Sequence, residues 1–167
     1  VIRRVDQICF LVEDIDASIE GYSQLFGATS WRGYRYGPDT VPQLVYRGEP
    51  GRFSFWVALS DTDPQIELIQ SLQGPSVYTE WIEARGLGFH HIGTFTKDMA
   101  ADTAALQAIG LAVSQWGHGY GLDGDGGFTY LDSLEALGVV VELIEIPARR
   151  RTPDREWVVS RKGPPAR

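Results

Sequence analysis

An internal repeat constrains this chain more than any other feature of its sequence. Val5–Val12 and Phe89–Thr96 are both apolar, strand-like runs. Each precedes an amphipathic helical segment, the first ending at Leu25-Phe26-Gly27 and the second at Ile109-Gly110-Leu111. Each half then closes on a similar short strand, Gln65–Gln70 or Val141–Glu145. Self-similarity on this scale marks a duplicated supersecondary unit.

The local signals give both units the order β-α-β-β-β. In the first, Asp14 or Asp16 caps a helix whose stripe is Ile15, Ile19, Tyr22 and Leu25-Phe26, and Gly27 ends it. Aromatic-rich strands follow at Thr29–Tyr36, Gln43–Arg47, Phe53–Leu59 and Gln65–Gln70. They are punctuated by Gly37-Pro38-Asp39, Gly48-Glu49-Pro50-Gly51 and Asp61-Thr62-Asp63-Pro64. Ser76 caps a linker helix, Val77–Arg85, that Gly86-Leu87-Gly88 terminates. The second unit reads as strand Phe89–Thr96, a helix from about Asp98 to Ile109, and strands Ala112–Trp116, Phe128–Asp132 and Val139–Ile146. The expected organisation is a first unit at 1–73, a linker helix at 74–87, a second unit at 88–147 and a basic tail at 148–167.

Charge is divided unevenly. The chain carries a net −7, made of +5 on residues 148–167 and −12 on the rest. An acidic body argues against nucleic acid as the main partner. The tail, from Arg149-Arg150-Arg151 onward, reads as a solvated terminal extension; contact with an anionic ligand or a second subunit is the alternative. No apolar run reaches the length of a membrane span, and the N-terminal residues lack a signal-peptide pattern. The single Cys9 excludes an internal disulfide framework and suits a reducing cytoplasm. Because it falls within an apolar strand, its expected role is packing rather than nucleophilic attack.

Aligning the halves pairs Gln7 with His91 and Glu67 with Glu142. Each of the four interrupts an otherwise apolar strand, and strand side chains alternate between faces. Taken singly, each has an ordinary structural explanation: an edge carboxylate in solvent, or an amide bonded to a neighbour. Taken as matched places they ask for a shared cation, since a buried carboxylate is costly unless paired or metal-bound and no Lys or Arg lies in these strands. A divalent ion would balance Glu67 and Glu142, with neutral Gln7 and His91 completing the shell. This donor set suits Mn, Co, Ni, Fe, Mg or Zn. The repeat selects His91 over His90, because His91-Ile92-Gly93 matches Gln7-Ile8-Cys9. On a regular strand His90 points the other way, into packing or behind the ligands.

Over residues 4–147 the chain resembles the vicinal oxygen chelate superfamily, which includes glyoxalase I, methylmalonyl-CoA epimerase, extradiol dioxygenases and bleomycin-resistance proteins. Gly86-Leu87-Gly88-Phe89-His90-His91-Ile92-Gly93, Gln65–Gln70, Phe128–Asp132 and Leu137–Ile144 are most similar to the epimerase-like branch. The resemblance implies an α+β fold: two tandem βαβββ modules forming a cupped, largely antiparallel mixed sheet around a metal site. It places the ligands on the first and last strands of each module, hence at Gln7, Glu67, His91 and Glu142. That set is similar to some glyoxalase I enzymes, whereas epimerases of the family start with His where this chain has Gln7. A dioxygenase wants two His and one carboxylate, and only one His is available among the four.

The activity implied by the resemblance is proton abstraction alpha to a carbonyl with a metal-stabilised enolate, giving an isomerase, epimerase or lyase. Glu142 is the first candidate for the base and Glu67 the second. Trp31, Tyr36, Phe55 and Trp56, with Trp116, His118, Tyr120 and Tyr130, fall on or near strands that would line the cup, for an apolar or aromatic small-molecule substrate. Core packing explains each of them equally well. The alternatives are a glyoxalase I-type lactoylglutathione lyase and a non-catalytic drug-binding protein of the same fold. Gly117–Gly127 lacks the spacing of a phosphate loop, and nothing in the residues specifies CoA or glutathione. The resemblance further implies a homodimer.

Overall fold

The computed structural model describes residues 4–160; the last part of the basic tail, 161–167, lies outside the described residues. The first half runs β1 (Gln7–Leu11), α1 (Ile15–Phe26), β2 (Ser30–Tyr36), β3 (Gln43–Tyr46), β4 (Glu49–Pro50), β5 (Ser54–Ser60) and β6 (Gln65–Gln73). After α2 (Val77–Arg85) come β7 (Gly88–Thr96), α3 (Met99–Ala108), β8 (Val113–His118), β9 (Gly127–Leu131), α4 (Leu134–Leu137), β10 (Val140–Glu145) and β11 (Arg155–Val158). The helix starts follow from their caps. Asp14 accepts from Ala17 N, Asp98 from Ala101 N, and Ser76 forms a reciprocal capping box with Thr79. Gly27 leaves α1 in the left-handed conformation, φ 77°.

The eleven strands of the described residues join one curled, mixed sheet in the order β11-β2-β5-β6-β1-β7-β10-β9-β8-β3-β4. Its central eight strands are symmetric about the antiparallel β1–β7 pair. On each side the first strand of a half runs parallel to the last strand of the same half, β1 with β6 and β7 with β10. The α+β architecture and the cupped mixed sheet match the expectation.

The sheet margins depart from it. Gln43–Tyr46, expected to complete the first half, pairs instead with β8 of the second. Arg155–Val158, expected to be part of a solvated extension, pairs with β2 of the first. The two halves therefore exchange edge strands, which covers edges that would otherwise present unpaired backbone. Trp157 seals the second exchange. Its ring lies where a side chain on Gly33 would stand, 2.6 Å from an ideal Cβ, and its Nε1 donates to Asp16 of α1 at 2.9 Å.

Alternation along the strands sorts the core into layers. Trp31, Ala58, Ile66 and Leu68 face α1, with Ile15 and Ile19 of the helix. Leu131 and Leu143 face α3, with Leu106. The opposite, concave face is the most aromatic part of the molecule, with Tyr34, Tyr36, Phe53, Phe55, Phe128 and Tyr130 packed under Tyr78 of α2. No helix among the described residues is long and apolar enough to cross a membrane.

Candidate metal centre

Strand register gathers Gln7, Glu67, His91 and Glu142 on the concave face. Cys9 is the register partner of both Glu67 and His91. Gly93 is the partner of both Gln7 and Glu142. Directly paired residues share a face, so the rows Glu67-Cys9-His91 and Gln7-Gly93-Glu142 project together. The middle member of each row is small, and Cys9 and Gly93 are equivalent in the repeat. An ideal Cβ on Gly93 would stand 2.7 Å from Ile144 Cδ1 and 3.1 Å from Gln7 Oε1. Glycine thus leaves the space above the sheet to its neighbours' polar ends.

Those ends converge. His91 Nε2 lies 2.9 Å from Glu142 Oε2 and 3.3 Å from Glu67 Oε2, and the donor atoms of Glu67, His91 and Glu142 all fall within 4.8 Å of one another. Donors held at about 2.0–2.2 Å from one ion stand roughly 3–4.5 Å apart. Gln7 is oriented by a relay: its Nε2 donates to Gln65 Oε1 at 3.1 Å, and Gln65 Nε2 donates to Ser60 O at 3.2 Å. The amide oxygen of Gln7 is left over. Gln7 Oε1, Glu67 Oε2, His91 Nε2 and Glu142 Oε2 are all buried, and among the described residues they have no polar partner outside this cluster. An unsatisfied buried polar atom costs roughly 1–3 kcal/mol, and two buried carboxylates with one imidazole and a leftover amide oxygen leave room for a shared partner. The donors fit a divalent cation.

Without a cation the site draws in protons. Burial alone would depress the His91 imidazolium, but the charges and hydrogen bonds of Glu142 and Glu67 outweigh it and push its pKa up to about 9. Burial raises the Glu142 carboxyl, and His91 offsets this only in part. Burial also raises the Cys9 thiol, helped by the charges of Glu67 and Glu142; Cys9 packs as a neutral group in the floor. Tyr130 is the register partner of Glu142 on β9, and its hydroxyl lies 3.1 Å from that of Tyr78.

His90 departs from the expected strand geometry. The register between β1 and β7 shifts, so that Cys9 faces His91 while Phe10 faces Phe89. His90 is the extra residue of this bulge, which turns it out of strict alternation. Its ring packs 5.0 Å from those of Trp81 and His91, and its Nδ1 lies 2.8 Å from His91 Nδ1. Burial, with the neighbouring His91, lowers its pKa to about 2 and keeps it neutral.

The residues expected to line the cup divide by face. Tyr36, Phe55, Tyr120 and Tyr130 belong to the concave cluster, and the first three line a cavity of about 40 Å3 with Gln7, Glu67 and Glu142. Trp31 and Trp56 do not line it. They sit on the other face, Trp31 donating to Ser23 of α1 at 2.7 Å and Trp56 stacked under Arg155. Trp116 and His118 also lie outside, in a groove of about 770 Å3 between α3 and the back of the sheet. Strand period carries this signal: Trp31 and Tyr36 differ by an odd number of residues, and Phe55 and Trp56 are adjacent, so neither pair can share a face. Tyr78 and Arg150 complete the cavity wall; the sequence offers the tail an anionic ligand only as an alternative and assigns neither residue to the cup, because a linker helix and a tail have no register with the strands.

The model of the Glyoxalase/Bleomycin resistance protein/Dioxygenase superfamily matches residues 6–130, and the chain belongs to this superfamily. The matched stretch ends before β10, Arg150 and β11. Among solved structures, the chain is similar to a variant of Streptomyces coelicolor methylmalonyl-CoA epimerase in complex with 2-nitronate-propionyl-CoA. That structure is 20% identical with a TM-score of 0.62, over 90% of this chain and 99% of that one. Methylmalonyl-CoA epimerase from Mycobacterium tuberculosis is 20% identical with a TM-score of 0.61, over 86% and 87% of the two chains. A hypothetical protein from Bacillus halodurans C-125 is 19% identical with a TM-score of 0.61, over 89% and 98%. No curated protein matches the sequence significantly.

Proposed function

We propose that the protein is a metal-dependent enzyme that removes a proton alpha to a carbonyl group, as an isomerase or epimerase. The observation that carries this reading is the convergence of donor atoms from Glu67, His91 and Glu142, with the orphaned amide oxygen of Gln7, beside a cavity that Gln7, Glu67 and Glu142 line. A divalent cation bound there would polarise the substrate carbonyl and stabilise the negative charge that develops on its oxygen. The chain's own groups do the rest. Glu142 takes the proton, since burial makes its carboxylate a stronger base than an exposed one. Glu67, on the same cavity wall, is the second candidate. Tyr130 and Tyr78 steady the carboxylate from behind, and the aromatic walls keep bulk water from the carbanion.

The solved relatives with this fold that are methylmalonyl-CoA epimerases favour epimerisation over elimination. The drug-sequestering alternative is disfavoured by the donor set, because a protein that only sequesters a ligand has no need of the buried cluster of Glu67, His91 and Glu142. The test is solvent proton exchange by protein loaded with Mn2+ or Co2+, followed by NMR in deuterated water across 2-oxo acids and acyl thioesters. Exchange that is lost in Glu142→Gln while the metal stays bound is the expected result. Full exchange in that variant refutes Glu142 as base, and no exchange on any substrate refutes the reaction class.

A further inference from the structure

Among the described residues, the cavity at the candidate metal centre has one cationic wall, Arg150. The segment carrying it is pinned on both sides. Before it, Ala148 N donates to Asp125 Oδ2 at 2.6 Å, Leu122 N donates to Arg149 O at 2.9 Å, and the Arg149 guanidinium pairs with Asp123. After it, Arg151 donates to Arg35 O at 3.2 Å, and Asp154 accepts from Arg35 N at 2.8 Å before β11 begins. Arg149, Arg151 and Arg155 each have a carboxylate partner. Among the described residues Arg150 forms no ion pair. Its guanidinium instead lies 5.9 Å from the ring centroid of Tyr34 and 5.8 Å from that of Tyr120. A guanidinium held at the edge of a cavity by its neighbours, yet given no carboxylate, is free to serve one from outside.

We propose that Arg150 recognises a carboxylate on the substrate, so that the enzyme acts on small carbonyl compounds bearing one carboxylate near the exchanging carbon. This rests on the reading of the cup as a metal-dependent site. Charge supports it: two carboxylates balance a divalent cation, and Arg150 leaves the occupied site with a single positive charge. One substrate carboxylate neutralises that charge. The planar fork of arginine matches carboxylate geometry in a way a lysine does not. The stack on Tyr34 and Tyr120 orients the guanidinium without engaging it in an ion pair, so binding an anion breaks no salt bridge.

The test is calorimetric titration of the Mn2+-loaded full chain with malonate as the carboxylate probe and malonamide as its uncharged counterpart. The wild type is compared with Arg150→Gln and Arg150→Lys. Malonate affinity is expected to fall about tenfold or more in Arg150→Gln and by less in Arg150→Lys. Affinity for Mn2+, melting temperature and the response to malonamide stay as in the wild type. Malonate that binds Arg150→Gln as tightly as wild type, or fails to bind the loaded wild type, overturns the role of Arg150 alone. Failure of the wild type to take up Mn2+ stoichiometrically overturns the metal-centre reading and this inference with it.

Discussion

His90 and His91 are neighbours in sequence whose Nδ1 atoms lie 2.8 Å apart. The bulge in β7 makes this possible, and the pairing fixes a tautomer. Neutral His90 accepts, so His91 donates from Nδ1 and directs Nε2 toward Glu67 and Glu142. When the Nε2 proton leaves, the lone pair it uncovers faces the two carboxylates. This is the usual arrangement by which a group behind a metal-ligating histidine sets its orientation.

Replacing His90 with Leu is therefore expected to weaken divalent-metal binding about 10–100-fold while the fold is kept. Chelator competition measures the affinity and circular dichroism the fold. His90→Gln, which keeps an acceptor, loses less.

Metal binding is expected to depend on pH through His91. Below about 9 the metal-free imidazole holds a proton that a cation has to displace, so apparent affinity rises up to tenfold per pH unit and levels off above pH 9. Stability moves the opposite way. A pKa raised from 6.5 to about 9 stabilises the metal-free fold fully below pH 6.5, and this contribution, a few kcal/mol in order of magnitude, is lost as pH rises through 9. The raised Glu142 pKa acts in the same direction. Melting curves of metal-free protein should decline from pH 6.5 to 9, and saturating metal should flatten that decline.

Gly93→Ala is expected to cost about 1–3 kcal/mol and to weaken metal binding. The added methyl would meet Ile144 Cδ1 and Gln7 Oε1 at 2.7 and 3.1 Å. Urea denaturation reports the first effect and metal titration the second. Unchanged metal affinity would mean that Gln7 is not a ligand.

Trp31→Ala separates packing from chemistry. Trp31 is buried against α1, away from the cup, so its loss should cost about 3–5 kcal/mol of stability and leave metal affinity at the wild-type value. Both are read from denaturation and metal titration of the same preparation.

The repeat made the four converging residues legible, because each stands at a matched strand position and the first strand of each half pairs with the last strand of the same half. The faces of the aromatic residues were legible in principle from parity, which separates Trp31 from Tyr34 and Tyr36. The bulge at His90 was not, since nothing in Phe89-His90-His91 distinguishes a bulged from a regular strand. Nor were the exchanged edges. Gln43–Tyr46 has no residue that names β8 as its neighbour, and Arg155–Val158 is too short and too charged to read as a strand by pattern alone. Edge pairing depends on which margins the curled sheet leaves open, and that is a property of the assembled halves.

The exchange of edge strands has a consequence for synthesis on the ribosome. Arg35 and Asp154 are joined by a hydrogen bond although they stand 119 positions apart. The N-terminal half emerges first, with the outer edge of β2 bare and Gly33 uncovered until Trp157 arrives. Likewise, the hairpin at 43–50 has no partner until β8 has been made. Neither half can finish on its own, so nascent chains stalled between the two should be captured by chaperones far more often than chains released at full length.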